Sequence, residues 1–235
     1  MYSFRLVYIF SYNLFQFCGH TWILANTIAR FFTFGQGLTG LLKEAEWHHQ
    51  AALAVMADNP PPDALADTFY SVGFVMSLCQ LLSILEIFHI ADGIEKARLL
   101  PRFIQVIEKN ILLIMVIMLE EIQSKPVVSV QFFLWNILDL LRYPHELLCV
   151  MKRPSVAMLW SRYSLWIPLY ILSVFIEGVI IYEALPYLET SAPHLPSLLL
   201  LYLPLLAVGG SVTVWQLLKE RKHHLEKRYK SKKKK

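Results

Sequence analysis

Two residues in this 235-residue chain, Tyr170 and Glu177, have the types and the spacing to do chemistry. They stand seven apart in YSLWIPLYILSVFIEGVIIY, residues 163–182, a 20-residue run whose single charge is Glu177. Residues seven apart on an α-helix lie two turns apart on nearly the same face, roughly 10 Å along the axis. The run is long enough to cross a bilayer. A carboxylate in the middle of such a run is costly in lipid and by default marks a functional site facing the inside of a bundle. A phenol and a carboxylate thus look into one membrane-buried space. Tyr170 alone also has a plain reading as a packing residue, since eleven tyrosines are present. Glu177 resists that reading, because no basic residue is within reach on its own helix.

The elements that must hold these residues are apolar throughout. The chain is 56% hydrophobic with mean hydropathy +0.46 and only 17% charged residues, against roughly 45–50% apolar residues in soluble domains. The apolar residues fall into six long runs, which predict an all-α integral membrane protein: one six-transmembrane-helix bundle with spans near 6–29, 68–91, 103–119, 127–150, 163–182 and 195–218. Residues 1–218 form the membrane domain and 219–235 a basic tail. Between the first two spans, residues 31–67 read as a polar connection with room for a short amphipathic helix before the Pro60-Pro61-Pro62 run. Residues 183–194 read as an acidic, Pro-containing loop. Pro196, Pro204 and Gly209-Gly210 suggest a kink in the sixth span. No internal repeat is visible.

Charge asymmetry orients the bundle. The net charge of +4 is produced by the tail, which holds ten Lys/Arg and two Glu; the remainder is net acidic, so no nucleic-acid surface is implied. Arg5, Lys96, Arg98, Arg102, Arg142, Lys152, Arg153, Arg162 and the tail fall on one side of a six-span arrangement. Lys43 and Lys125 fall on the other, beyond the terminal Arg30. The positive-inside rule then makes both termini cytosolic. Lys232 and Lys233 form a dilysine-type signal for return to the endoplasmic reticulum; a lysine run of this kind also suits anionic lipid.

With that orientation the intramembrane polar groups share one half of the bilayer. Glu86 lies about one turn from the cytosolic end of its span, and Gln105, Glu108 and Lys109 share a face at i, i+3 and i+4. Asp139 and Arg142 lie toward the cytosol too. Tyr170 is about 12 Å and Glu177 about 22 Å below Arg162 at 1.5 Å per residue. The pattern describes a polar cavity open to the cytosol, basic at its mouth, with the Tyr–Glu pair beneath. Plainer roles stand beside this one: Lys109 and Arg162 as residues that snorkel at helix ends, Glu86 and Asp139 as partners of basic residues in neighbouring spans.

Other chemistries find no support in the motifs. Cys18, Cys79 and Cys149 make no CxxC and read as small buried thiols within spans. His145-Glu146-Leu147-Leu148-Cys149 is not HExxH, no metal site is expected, and His48-His49 reads as solvated.

At QFCGHTWILANTIARFF, DTFYSVGFVMSLCQLLSILEIFHIADGIE, LLPRFIQVIEKN, WNILDLLRY and RYSLWIPLYILSVFIEGVIIYEALPY the chain resembles the very-long-chain (3R)-3-hydroxyacyl-CoA dehydratases, also called the protein tyrosine phosphatase-like A family. The likeness covers almost the whole chain and is greatest to the branch ending in a lysine run. It implies a six-span endoplasmic reticulum enzyme that converts 3-hydroxyacyl-CoA to trans-2-enoyl-CoA in the third step of fatty-acid elongation. The implied partners are long-chain 3-hydroxyacyl-CoA, membrane lipid, and the elongase and enoyl-CoA reductase of the same cycle; no cofactor is implied beyond the CoA of the substrate. The family's catalytic Tyr and Glu fall on Tyr170 and Glu177, and its supporting polar residues on Glu86, Gln105, Lys109 and Arg162. Glu177 as base and Tyr170 as acid is the favoured division, with the reverse open. Arg162 and Lys109 are then placed to hold the CoA phosphates. Ile171 and Ser173 stand where the family usually has Pro and Gly, Lys109 where it has Arg, and Asp139 where it has Glu. Phosphatase chemistry is excluded, because no cysteine begins a C-x5-R motif. A scaffold of the elongation complex and a small transporter are the two rival classes; a transporter is expected to show paired repeats or broken helices.

Overall fold

The computed structural model describes residues 4–47, 66–93, 99–151, 158, 164–191 and 194–232, with side chains placed over most of these. Among them every regular element is helical: α1 (Phe4–Trp47), α2 (Ala66–Leu82), α3 (Ile84–Ala91), α4 (Leu99–Leu112), α5 (Glu120–Gln123), α6 (Pro126–Val150), α7 (Trp166–Ser191) and α8 (Leu195–Lys232). A π-helical turn, Leu113–Ile117, continues α4.

The helices close a ring. α1 packs on α2 and α6, α6 on α7, α7 on α8, and α8 on α4, which returns to α3 and α2; α2 also touches α6 across the ring. Small residues permit the closest approaches. A Cβ added at Gly19 of α1 would lie 2.8 Å from Cys79 Sγ of α2, and one at Gly210 of α8 would lie 3.3 Å from Val174 of α7. This use of small residues at contacts is typical of helices packed in lipid.

Burial is inverted relative to a water-soluble protein. Phe74, Phe88, Phe175, Leu201 and Trp215 point outward, while Glu86, Lys109, Asp139, Arg142 and Glu177 are buried. Three helical stretches, Phe69–Ala91, Trp166–Leu188 and Leu195–Lys222, are long and apolar enough to cross a membrane. The protein is therefore an all-helical membrane protein. α3, α4 and α6 carry the residues that form the buried ion pairs.

Several boundaries differ from the sequence expectation. α1 runs unbroken to Trp47, through the first part of the stretch read as a polar connection; residues 48–65, with His48-His49, lie outside the described residues. The second span is interrupted at Ser83. There Ser83 Oγ and Asn110 Nδ2 both donate to the Gln80 carbonyl, at 2.6 and 3.2 Å, and such competition loosens the helical ladder. The third span ends in the π turn, where the Met118 amide bonds back five residues to Leu113 at 3.1 Å. α7 continues to Ser191 with Pro186 inside it, replacing the expected loop over 183–191. α8 extends through the basic tail to Lys232. Of the cysteines, only Cys79 is buried; Cys18 and Cys149 are exposed.

Candidate active site

The buried polar residues form three linked clusters inside the ring. The first is centred on Glu86. Its Oε1 accepts from Tyr143 at 2.7 Å and Tyr12 at 3.1 Å. Its Oε2 accepts from Arg102 Nε at 2.6 Å and Arg142 at 2.5 Å, and a second Arg102 nitrogen completes the ion pair. Arg142 also pairs with Glu146 at 2.5 Å, one turn along α6. Two arginines thus meet two glutamates, and α1, α3, α4 and α6 are tied together at one point. Gln105 reaches this cluster from α4, where its Oε1 accepts from Arg102 at 3.5 Å.

In the second cluster Lys109 Nζ lies 2.9 Å from Asp139 Oδ2. The same oxygen accepts from Gln80 Nε2 at 3.2 Å and lies 3.6 Å from His20 Nε2. His20 Nδ1 is 2.8 Å from Asn136 Oδ1, and Lys109 lies over the Trp135 ring at 5.7 Å. Lys109 is 5% exposed. Lys109, expected at the basic mouth of the cavity, is paired with Asp139, since an unpaired buried charge is costly. Arg162, the other residue expected at the mouth, lies outside the described residues.

The third cluster holds Tyr170 and Glu177, both about 1% exposed. Tyr170 stacks on Trp166 at 4.8 Å between ring centroids. Its hydroxyl donates to Glu108 Oε1 of α4 at 2.6 Å. Glu177 Oε1 accepts from Gln131 Nε2 and Trp135 Nε1 of α6, each at 3.0 Å, and from Ser173 Oγ of its own helix at 3.2 Å. Gln131 Nε2 also lies 2.8 Å from Ser173 Oγ. Glu177 Oε2 and Glu108 Oε2 are buried and have no hydrogen-bond partner among the described residues. Glu108 and Glu177 interact electrostatically. Among the described residues no hydrogen bond joins Tyr170 directly to Glu177; Tyr170 is bonded to α4 and Glu177 to α6.

The six sequence candidates therefore divide. Tyr170 and Glu177 share the third cluster, Glu86 and Gln105 belong to the first, Lys109 to the second, and Arg162 is not described. Glu108, Gln131, Trp135 and Ser173 were not among the candidates. Glu108 was visible as a member of the Gln105–Glu108–Lys109 face. No spacing rule points to Gln131 and Trp135 as partners of a residue more than 40 positions away.

The Ile171 side chain is half-exposed on the outer surface, away from Tyr170 Oη. Also on the outside, Val174, Phe175, Gly178, Val179, Tyr182, Leu203, Leu206 and Ala207 line an apolar groove of about 400 Å³ between α7 and α8.

The membrane helix bundle thus brings a buried phenol and buried carboxyl groups together, groups that can exchange protons. Residues 80–227 match the family model described as protein tyrosine phosphatase-like protein, PTPLA. The chain is 41% identical over 231 residues to a Mus musculus protein named very-long-chain (3R)-3-hydroxyacyl-CoA dehydratase 4, covering 93% of this chain and 88% of the relative. It is 39% identical over 227 residues to the Homo sapiens protein of that name, covering 92% and 87%. It is 40% identical over 240 residues to a Xenopus laevis very-long-chain (3R)-3-hydroxyacyl-CoA dehydratase, covering 96% and 98%. No solved structure matches the chain. The chain belongs to the protein tyrosine phosphatase-like, PTPLA, family, together with these dehydratases.

Proposed function

We propose that this protein is a hydro-lyase that dehydrates very-long-chain (3R)-3-hydroxyacyl-CoA to trans-2-enoyl-CoA, the dehydration step of fatty-acid elongation. The observation that carries the reading is the third cluster in a chain that shares about 40% identity with named dehydratases over nearly its whole length. Loss of water across C2–C3 needs one group to take the C2 proton and one to protonate the departing oxygen. Tyr170 and Glu177 supply the two. Glu177 is fixed through one oxygen by three donors, which leaves Oε2 to face a reactant. Elimination of water changes no net oxidation state, so the proposed reaction calls for no redox cofactor.

Six spans with cytosolic termini fit the Lys/Arg asymmetry, with residues 1–218 as the membrane domain. The family resemblance supports the endoplasmic reticulum as the location and the elongase and enoyl-CoA reductase as neighbours in the cycle. Arg162 remains the candidate for the CoA phosphates. The apolar groove between α7 and α8 flanks Glu177 in sequence and suits an acyl chain or a lipid tail.

The test is direct. Purified protein in detergent, given a very-long-chain 3-hydroxyacyl-CoA, yields the trans-2-enoyl product, and Tyr170→Phe and Glu177→Gln each reduce kcat by at least 100-fold. Inactive wild-type protein that still binds an elongase or reductase would replace the enzyme by a scaffold.

A further inference from the structure

Building on the dehydratase reading, we infer that Glu108 works with Tyr170 as a proton-accepting dyad on the base side of the reaction, and that Glu177 serves the departing hydroxyl. The Tyr170 hydroxyl donates to one of the two carboxyls, Glu108, at Oε1 and 2.6 Å, and stacking on Trp166 holds the ring. What Tyr170 can offer a reactant in this arrangement is an oxygen lone pair, which makes it an acceptor. A phenol is a weak base by itself. One whose own proton can pass to a carboxylate as it receives another is a competent one.

Charge accounting fits the same division. Lys109 is matched to Asp139, and Arg102 and Arg142 to Glu86 and Glu146. Glu108 and Glu177 are both buried and make no ion pair among the described residues; Lys109, the cation that acts on both, is itself held on Asp139. Two bare carboxylates there are costly. One proton held between them removes the repulsion and provides the acid that dehydration requires. The step balances as follows. The C2 proton passes to Tyr170 Oη while the Tyr170 proton passes to Glu108. The C3–O bond breaks with its electron pair, and the oxygen takes a proton from Glu177 and leaves as water. Return of the proton from Glu108 through Tyr170 to Glu177 resets the site. Glu108 acts through Tyr170 and is a positioning and proton-accepting residue; Tyr170 and Glu177 touch the reactant.

A substrate whose leaving group needs no proton separates the two sides. Wild type, Glu108→Gln, Glu108→Asp, Tyr170→Phe and Glu177→Gln are assayed in detergent against a long-chain 3-hydroxyacyl-CoA and its 3-fluoro counterpart, with a melting curve for each variant. Glu108→Gln keeps a hydrogen-bond acceptor of the same shape but cannot take the proton. It is expected to lose about 100-fold in kcat with KM unchanged, on both substrates, and Glu108→Asp to recover part of the loss. Glu177→Gln is expected to be inactive on the hydroxy substrate and to regain at least 100-fold on the fluoro substrate. Rescue of Tyr170→Phe and Glu108→Gln by fluoride in place of Glu177→Gln would overturn the assignment. So would a Glu108→Gln enzyme with wild-type kcat, or one whose loss follows a lowered melting temperature that Glu108→Asp shares. A wild type inactive on both substrates would instead overturn the dehydratase reading, and this inference with it.

Discussion

Ser173 Oγ lies 3.2 Å from Glu177 Oε1, one helical turn away on α7, and Gln131 of α6 touches both. Glu177 Oε1 accepts from this hydroxyl as well as from Gln131 and Trp135. The hydroxyl therefore adds a donor that orients the carboxylate. Ser173→Gly removes one hydrogen bond worth about 1 kcal/mol, and kcat for dehydration is expected to fall about fivefold. Gln131→Leu removes the link to both partners and is expected to cost more than tenfold. Steady-state kinetics on the two variants checks the order.

Glu86 is a tie between helices, with two arginines and two tyrosines on one carboxylate. Removing one partner of a buried ion pair strands the others, at about 3–5 kcal/mol. Glu86→Ala is expected to lower the melting temperature in detergent by more than Glu86→Gln, which keeps the acceptor for the tyrosines. Both variants are expected to lose activity in parallel with folded fraction, and activity per folded molecule separates this from a direct role.

Lys109 and Asp139 make a similar comparison possible. Lys109→Met leaves Asp139 with only neutral donors and His20, and is expected to destabilise by about 3 kcal/mol. The double variant Lys109→Met/Asp139→Leu is expected to be more stable than the single one. Because Lys109 is buried on Asp139, Lys109→Arg is expected to leave KM for acyl-CoA within twofold of wild type. Arg162→Ala is expected to raise it if Arg162 holds the phosphates. Thermal melts and KM values test both statements.

Ile171 is half-exposed on the outer face of α7, so its side chain has no part in orienting Tyr170. Ile171→Leu is expected to leave kcat/KM unchanged within twofold. A tenfold loss would show that the lipid-facing side of α7 governs the phenol.

Much of this architecture is legible in the sequence because lipid makes polar atoms conspicuous. Glu177 stands out as one charge among 20 residues, and the seven-residue spacing brings Tyr170 to the same face. What spacing within a helix does not contain is the rotation of one helix against another. Glu108 shares a face with Lys109 at the level of sequence, yet one carboxylate bonds Tyr170 on α7 and the other side chain bonds Asp139 on α6. The pairing of Lys109 is hidden for the same reason: its partner Asp139 lies 30 positions away on a different helix. Prolines misled in a different manner. Pro186 reads as the mark of a loop, but it lies inside α7, where packing against neighbouring helices sustains what local propensity opposes.

The placement of charges on α4 and α6 also bears on how the chain enters the membrane. α4 brings Arg102, Glu108 and Lys109, and α6 brings Asp139, Arg142 and Glu146, all buried. Neither segment appears among the three stretches apolar enough to cross by themselves. Apart from Glu108, which Tyr170 bonds, their counter-charges reside on each other and on α3, so the cost of leaving water falls when the partners are side by side. Among the described residues the apolar helices α7 and α8, which follow α6 in the chain, carry none of these ion-pair partners. A variant that breaks one of these ion pairs is therefore expected to lower the amount of folded protein in the membrane before it lowers the activity of each folded molecule.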